Sequence, residues 1–118
     1  MRIQSREELE KICPLENGIW NRENLYEYLV QSCDRRWESL TDAFFKQHSR
    51  DEKLADLLFG FLLNDDYDGS DCQMGAACYI ARLDREVLRK KKALLLLAQE
   101  NEVSWKRPFQ DEEYREWL

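Results

Sequence analysis

Apolar residues recur along this chain at the spacing of one helical face, and polar breaks cut the recurrence into short segments. Leu9 and Ile12 follow Ser5, whose hydroxyl suits a helix start, and Pro14 closes that segment because the residue before a proline is pushed out of helical conformation. Residues 15–20 read as a turn around Asn17-Gly18, with Ile19 and Trp20 apolar. Asn21 is placed to cap a second helix in which Leu25, Tyr28, Leu29 and Ser32 share a face. A third, over about 34–47, carries Trp37, Leu40, Thr41, Phe44 and Phe45. Ser49 and Glu52 have the spacing of a capping box and open a fourth helix with Leu54, Leu57, Leu58, Phe61 and Leu62.

After a polar stretch, 64–71, the pattern resumes with Met74, Ala77, Cys78 and Ala81 on one face. Gly75, Ala76 and Ala77 keep this helix slim, so a neighbour can approach closely. A Leu-rich helix through Val87, Leu88 and the block 93–98 is expected to lie antiparallel to it. A last short helix over 110–118 carries Tyr114 and Trp117, expected with Trp105 and Phe109 to clamp the C-terminal segment to the body. No segment alternates as a strand should. The expectation is an all-α fold: one domain over 1–118, of about five to seven antiparallel helices. An offset of 37 residues lays Trp37 on Met74, Leu40 on Ala77 and Leu58 on Leu95, near the period of two-helix repeats but without identities at those positions.

Charge narrows the class of partner. The 118 residues carry a formal net charge of −6, which disfavours nucleic acid, because phosphate binding rests on Lys and Arg. An acidic domain steers towards basic protein surfaces. The basic run Arg85, Arg89, Lys90, Lys91 and Lys92 reads as the solvated side of a helix opened by Asp84 and Glu86. Cys13, Cys33, Cys72 and Cys78 are scattered without a CxxC pair, and no Cys or His pair has zinc-ligand spacing. Free, mostly buried thiols in a reducing cytoplasm are therefore expected. The N-terminal segment lacks an apolar stretch of signal-peptide length, and the run 93–98 is too short to span a bilayer. His48, the one histidine, suits the C-terminal end of a helix better than a catalytic pair, so no enzyme activity, cofactor or metal is expected.

The loop 64–71 is the most conspicuous candidate site. Asn64, Asp66 and Asp68 before Gly69 imitate the start of a calcium loop, but the twelfth position holds Gly75 where a bidentate Glu is needed. From Arg50 to Cys72 there are seven acids and two bases, a surplus of five negative charges, with Tyr67 at the loop tip. Asp65, Asp66, Tyr67, Asp68 and Asp71 are therefore the candidate partner-binding residues: carboxylates for a basic surface, and an exposed aromatic to anchor it.

The segment DCQMGAACYIARLDREVLRKKKALLLLAQE resembles one HEAT-type helix pair: a small-residue helix after an Asp/Gly turn, a bend, then a Leu-rich helix. Small acidic helical chains of this kind resemble bacterial immunity proteins that neutralise toxins of polymorphic or contact-dependent inhibition systems. That resemblance implies a HEAT-like stack and stoichiometric inhibition of a cognate toxin, a basic enzyme such as a nuclease. Asp66→Lys with Asp68→Lys is then expected to weaken toxin binding without unfolding the domain. The competing expectation is an adaptor or regulatory subunit acting through its helical surface, as a homodimer through the aromatic tail.

Overall fold

A computed structural model describes residues 3–68 and 70–110. Its first helix, α1 (Arg6–Lys11), starts where expected: Ser5 Oγ accepts the Glu8 amide, and Glu8 reaches back to the Gln4 amide at 2.9 Å. Two short strands follow, β1 (Leu15–Glu16) and β2 (Ile19–Trp20), paired antiparallel with Leu15 opposite Trp20. The turn between them puts Asn17 at φ 52° and Gly18 at φ 76°, the left-handed pair that a tight hairpin requires. The sequence pattern predicts the turn but not the strands, because two residues a side show no alternation.

α2 (Arg22–Gln31) is capped by Asn21, whose side chain accepts the Asn24 amide, and it buries Leu25, Tyr28 and Leu29. The Tyr28 hydroxyl donates to Leu9 O at 3.0 Å and ties α1 down. Burial pushes that hydroxyl up to about 12. α3 (Glu38–Gln47) and α4 (Glu52–Leu62) turn the faces read from the sequence to the core: Thr41, Phe45, Leu54, Leu58, Phe61 and Leu62 are buried, and Trp37, Leu40, Phe44 and Leu57 partly so. The cap of α4 differs from expectation: Asp51, not Ser49, accepts the Lys53 and Leu54 amides, at 2.8 and 3.2 Å. Asp51 Oδ2 also takes Trp20 Nε1 at 3.2 Å, so one carboxylate starts the helix and anchors the hairpin.

α5 (Asp71–Ala81) is the central element, burying Cys72, Gln73, Gly75, Ala76, Ala77, Tyr79 and Ile80 against α4 and α2. The face expected to pack, Met74, Ala77, Cys78 and Ala81, is not the one turned to those helices: Met74 and Cys78 are exposed. Closeness is instead achieved at Gly75, where a Cβ would stand 2.5 Å from the Leu29 carbonyl oxygen of α2. The Leu-rich helix is also different, broken at Lys91 into α6 (Arg85–Lys90) and α7 (Lys92–Gln99), and α7 lies on α4. The anticipated pairing of α5 with one continuous Leu-rich helix is thus replaced by packing of α5 between α2 and α4. Slimness set how near a neighbour could come, but not which neighbour.

Beyond α7 the chain doubles back over α5 through a 3-10 turn at Ser104–Lys106. Gln99 fixes this strap by a reciprocal pair, donating to Phe109 O at 2.9 Å and accepting Phe109 N at 2.8 Å. Of the residues expected to clamp this segment, Phe109 packs on the core but Trp105 is exposed. Tyr114 and Trp117, and the helix expected there, lie outside the described residues. The described residues form seven α-helices around one hydrophobic core, an all-α domain. No helix among them is long and apolar enough to cross a membrane.

Candidate functional site

The five loop residues singled out above occupy three different environments. Asn64 Oδ1 accepts the Asp66 amide at 2.9 Å, an Asx turn that starts the 3-10 turn Asp65–Tyr67. That turn points Asp65 and Asp66 to solvent, where neither side chain makes an ion pair with a described residue. Asp71 is exposed in the first turn of α5, where the helix dipole favours an acid. Asp68 stays half exposed but is committed to a contact within the fold. It pairs with Lys106 of the strap, a lysine whose side chain is 9% exposed, and Gln73 Nε2 approaches the same carboxylate at 3.4 Å. The bond from Lys106 holds the Asp68 carboxyl below the ordinary aspartate value.

The surplus of five charges is largely neutralised from far along the chain. Glu52 meets Lys90 at 3.3 Å, Asp56 meets Lys91 at 2.8 Å, and Asp68 meets Lys106. Lys90 and Lys91 of the basic run are therefore counter-charges of α4, while Arg89 pairs with Glu86 of its own helix at 2.9 Å. Local charge counting could not see this, because the partners are 35 to 38 residues apart in sequence.

Tyr67 does not project as an exposed anchor. It is half-buried, edge-on to Phe61 at 5.2 Å and tilted against Tyr26 at 5.8 Å, with Tyr26 and Phe61 6.1 Å apart. These rings form one wall of an open groove of about 600 Å³, whose rim carries Arg22, Glu23 and Glu27. The Arg22 guanidinium lies 5.0 Å from the Phe61 ring centre, so the groove already accommodates a cation on an aromatic face. Burial raises the Tyr26 hydroxyl above its usual value, with Cys72 and Glu27 adding to the effect. The sequence reading missed the α2 side of this groove. Its signal was present: Glu23, Tyr26 and Glu27 fall at i, i+3 and i+4, off the buried Leu25–Leu29 face.

The other candidates resolve into structural roles. His48 ends α3, packed against Phe44 and Trp20 at ring distances of 4.8 and 5.6 Å. All four cysteines are free, but only Cys72 is buried; Cys33 and Cys78 are exposed and Cys13 lies between, correcting the expectation of mostly buried thiols. Among the described residues no group of three or more His, Cys, Asp or Glu side chains could hold a metal ion. Asp68 of the calcium-like loop is turned to Lys106 instead.

These features define a helical domain whose most distinctive surface is an aromatic groove beside two carboxylates that have no ion pair among the described residues. Comparison of the chain with protein-family models, with curated proteins and with solved structures finds no match.

Proposed function

We propose that this chain is a non-catalytic protein-binding module acting as an immunity protein, which neutralises a cognate basic, nuclease-like toxin by stoichiometric binding in the cytoplasm. The observation that carries the reading is the groove formed by Tyr26, Phe61 and Tyr67, with Glu23 and Glu27 on its rim and Asp65 and Asp66 on the adjoining turn. Aromatic faces next to carboxylates favour Arg and Lys side chains, by cation–π attraction and by charge. The net charge of −6 adds long-range attraction for the same partner.

The residues assigned to binding change accordingly. Asp65, Asp66 and Asp71 are available to a partner, Tyr67 contributes its ring face, and Asp68 holds the strap. Asp68→Lys would set a second ammonium group against Lys106 and disturb the fold, so the clean charge reversal is Asp65→Lys with Asp66→Lys. The test is capture of partners from the native cell at low salt with the tagged chain and with this variant. One basic protein retained in equal proportion by the native chain, and lost by a variant of unchanged melting temperature, is the expected result. Retention by the variant, or at high salt, sinks the reading. Recovery of the chain only with itself favours the homodimeric adaptor instead, for which the exposed Leu97, Val103 and Trp105 are candidate contacts.

A further inference from the structure

A second cleft, of about 550 Å³, opens between α3, the start of α4 and the turn from α5 to α6. Its floor is apolar and belongs to the core: Phe45 and Tyr79 stack with ring centres 4.0 Å apart and 22° between planes, Leu58 and Leu83 flank them, and only the edges of Phe45, Tyr79 and Leu83 reach the cleft. Its mouth is held in shape without a ligand, because the Asp84 amide donates to Ser49 O at 2.9 Å and joins the two turns. Pre-formed, mainly apolar clefts of this size with a few polar groups are where small molecules bind.

The charges at the mouth are unevenly matched. Asp42 Oδ1 accepts the Tyr79 hydroxyl at 2.7 Å and Arg82 Nη1 at 2.9 Å. Asp84 accepts the Glu86 amide on one oxygen at 3.0 Å and faces Arg50 with the other at 3.4 Å. Both anions are thus occupied. Lys46 is not: its ammonium has no hydrogen-bond or ion-pair partner among the described residues, although Asp42 sits one helical turn before it. Asp42 is turned away to Tyr79 and Arg82, so the usual i, i+4 pair is left unmade. The Ser49 hydroxyl, also lining the cleft, makes no hydrogen bond with a described residue. In a chain of net charge −6, this mouth carries three cations (Lys46, Arg50, Arg82) against two anions.

We infer that this cleft binds a small monoanionic organic acid, its apolar body over the edges of Phe45, Tyr79 and Leu83 and the aliphatic stem of Lys46, and its carboxylate at the Lys46 ammonium and Ser49. One unmatched cation suits one negative charge; a dianionic phosphate would leave its second charge facing Asp42 and Asp84. The inference is independent of the partner-binding reading, since no residue of the cleft belongs to the aromatic groove or the loop 64–71.

The test is an NMR titration of the full chain with 3-phenylpropionate and octanoate, beside their neutral counterparts 3-phenylpropionamide and 1-octanol. Shift changes centred on residues 42–49 and 79–84 are expected for the acids, with affinity at least tenfold above the neutral compounds. Lys46 is exposed, so Lys46→Met folds normally; it should weaken the acids about tenfold and leave the neutral compounds unchanged, while Lys46→Arg retains binding. Absence of binding up to millimolar acid overturns the inference, as does equal affinity for acid and amide, or indifference to Lys46→Met.

Discussion

Replacing Gly75 with alanine places one methyl group at the crossing of α5 and α2. Its carbon would stand 2.5 Å from the Leu29 carbonyl oxygen, 2.8 Å from Ser32 Oγ and 3.1 Å from the Leu29 carbonyl carbon. Ser32 can swing away only by breaking its 2.6 Å bond to that same carbonyl oxygen. The carbonyl is helix backbone, so relief requires the two helices to part. Opening the contact from 2.5 Å to even 3.0 Å takes a shift of about 0.5 Å. A gap of that size forfeits roughly a quarter of the dispersion well for each contact it opens. Overpacking costs about 1–3 kcal/mol, and an immovable backbone neighbour argues for the upper end. Against it stands the helix propensity gained in replacing glycine by alanine, about 1 kcal/mol. The net expectation is a loss of about 2 kcal/mol and a melting temperature lower by roughly 6–10 °C, followed by circular dichroism. Gly60 supplies the control: it is exposed within α4, and a Cβ there meets nothing within 4 Å. Gly60→Ala should gain about 1 kcal/mol from propensity alone. If both variants raise the melting temperature, α5 does not cross α2 as closely as described, and the reasoning fails.

Two further expectations concern titration and reactivity. The Asp68 carboxyl sits below its ordinary value of 3.8 because Lys106 bonds to it, so their pairing adds stability above that pH and loses it as pH falls through the lowered value. Urea midpoints of the native chain and of Asp68→Asn should therefore differ at pH 6 and draw together only as pH falls below 3.8; a constant difference would show that the pair carries no such linkage. Burial pushes the Cys72 thiol up to about 12. Its thiolate fraction at pH 8 is then on the order of one in ten thousand. An aromatic disulfide reagent at that pH should modify exposed Cys33 and Cys78 in the folded chain, and Cys72 only after unfolding; mass spectrometry of the peptides distinguishes them, and early labelling of Cys72 contradicts its placement.

Much of the local architecture was legible because it rests on contacts within one or two turns. The faces Leu25–Leu29 and Leu54–Leu62, the Ser5 and Asn21 caps and the Asn17-Gly18 turn all follow from residue type and spacing. What the periodicity did not carry was choice of partner. Nothing in the pattern around Gly75 says that Leu29, rather than a leucine of α7, lies across from it. The cap of α4 falls to Asp51, the residue just before the helix, rather than Ser49, and the same carboxylate holds Trp20, a contact 31 residues away. The site suffered most from this limit. Lys90, Lys91 and Lys106 reach back to cancel charges that a count over 50–72 treats as free, and they leave Asp65, Asp66 and Asp71 exposed with no ion pair among the described residues. Tyr26 was visible as an aromatic outside the buried stripe of its helix, but only the fold brings it to Tyr67.

Gln73 joins these local and distant effects in one side chain. Fully buried, its Nε2 faces the carbonyl oxygens of Phe61, Leu62 and Asn64 at 3.0 to 3.3 Å and the Asp68 carboxylate at 3.4 Å, while its Oε1 has no hydrogen-bond partner among the described residues. The carbonyls that the end of α4 leaves over are thus answered from the first turn of α5 rather than from the helix's own C-cap. The end of one helix, the start of the next, the loop between them and, through Asp68, the strap are consequently released by the same event. Hydrogen exchange in this part of the molecule should be correlated rather than graded, so that the loop, for all its exposed acids, opens on the timescale of the core beneath it.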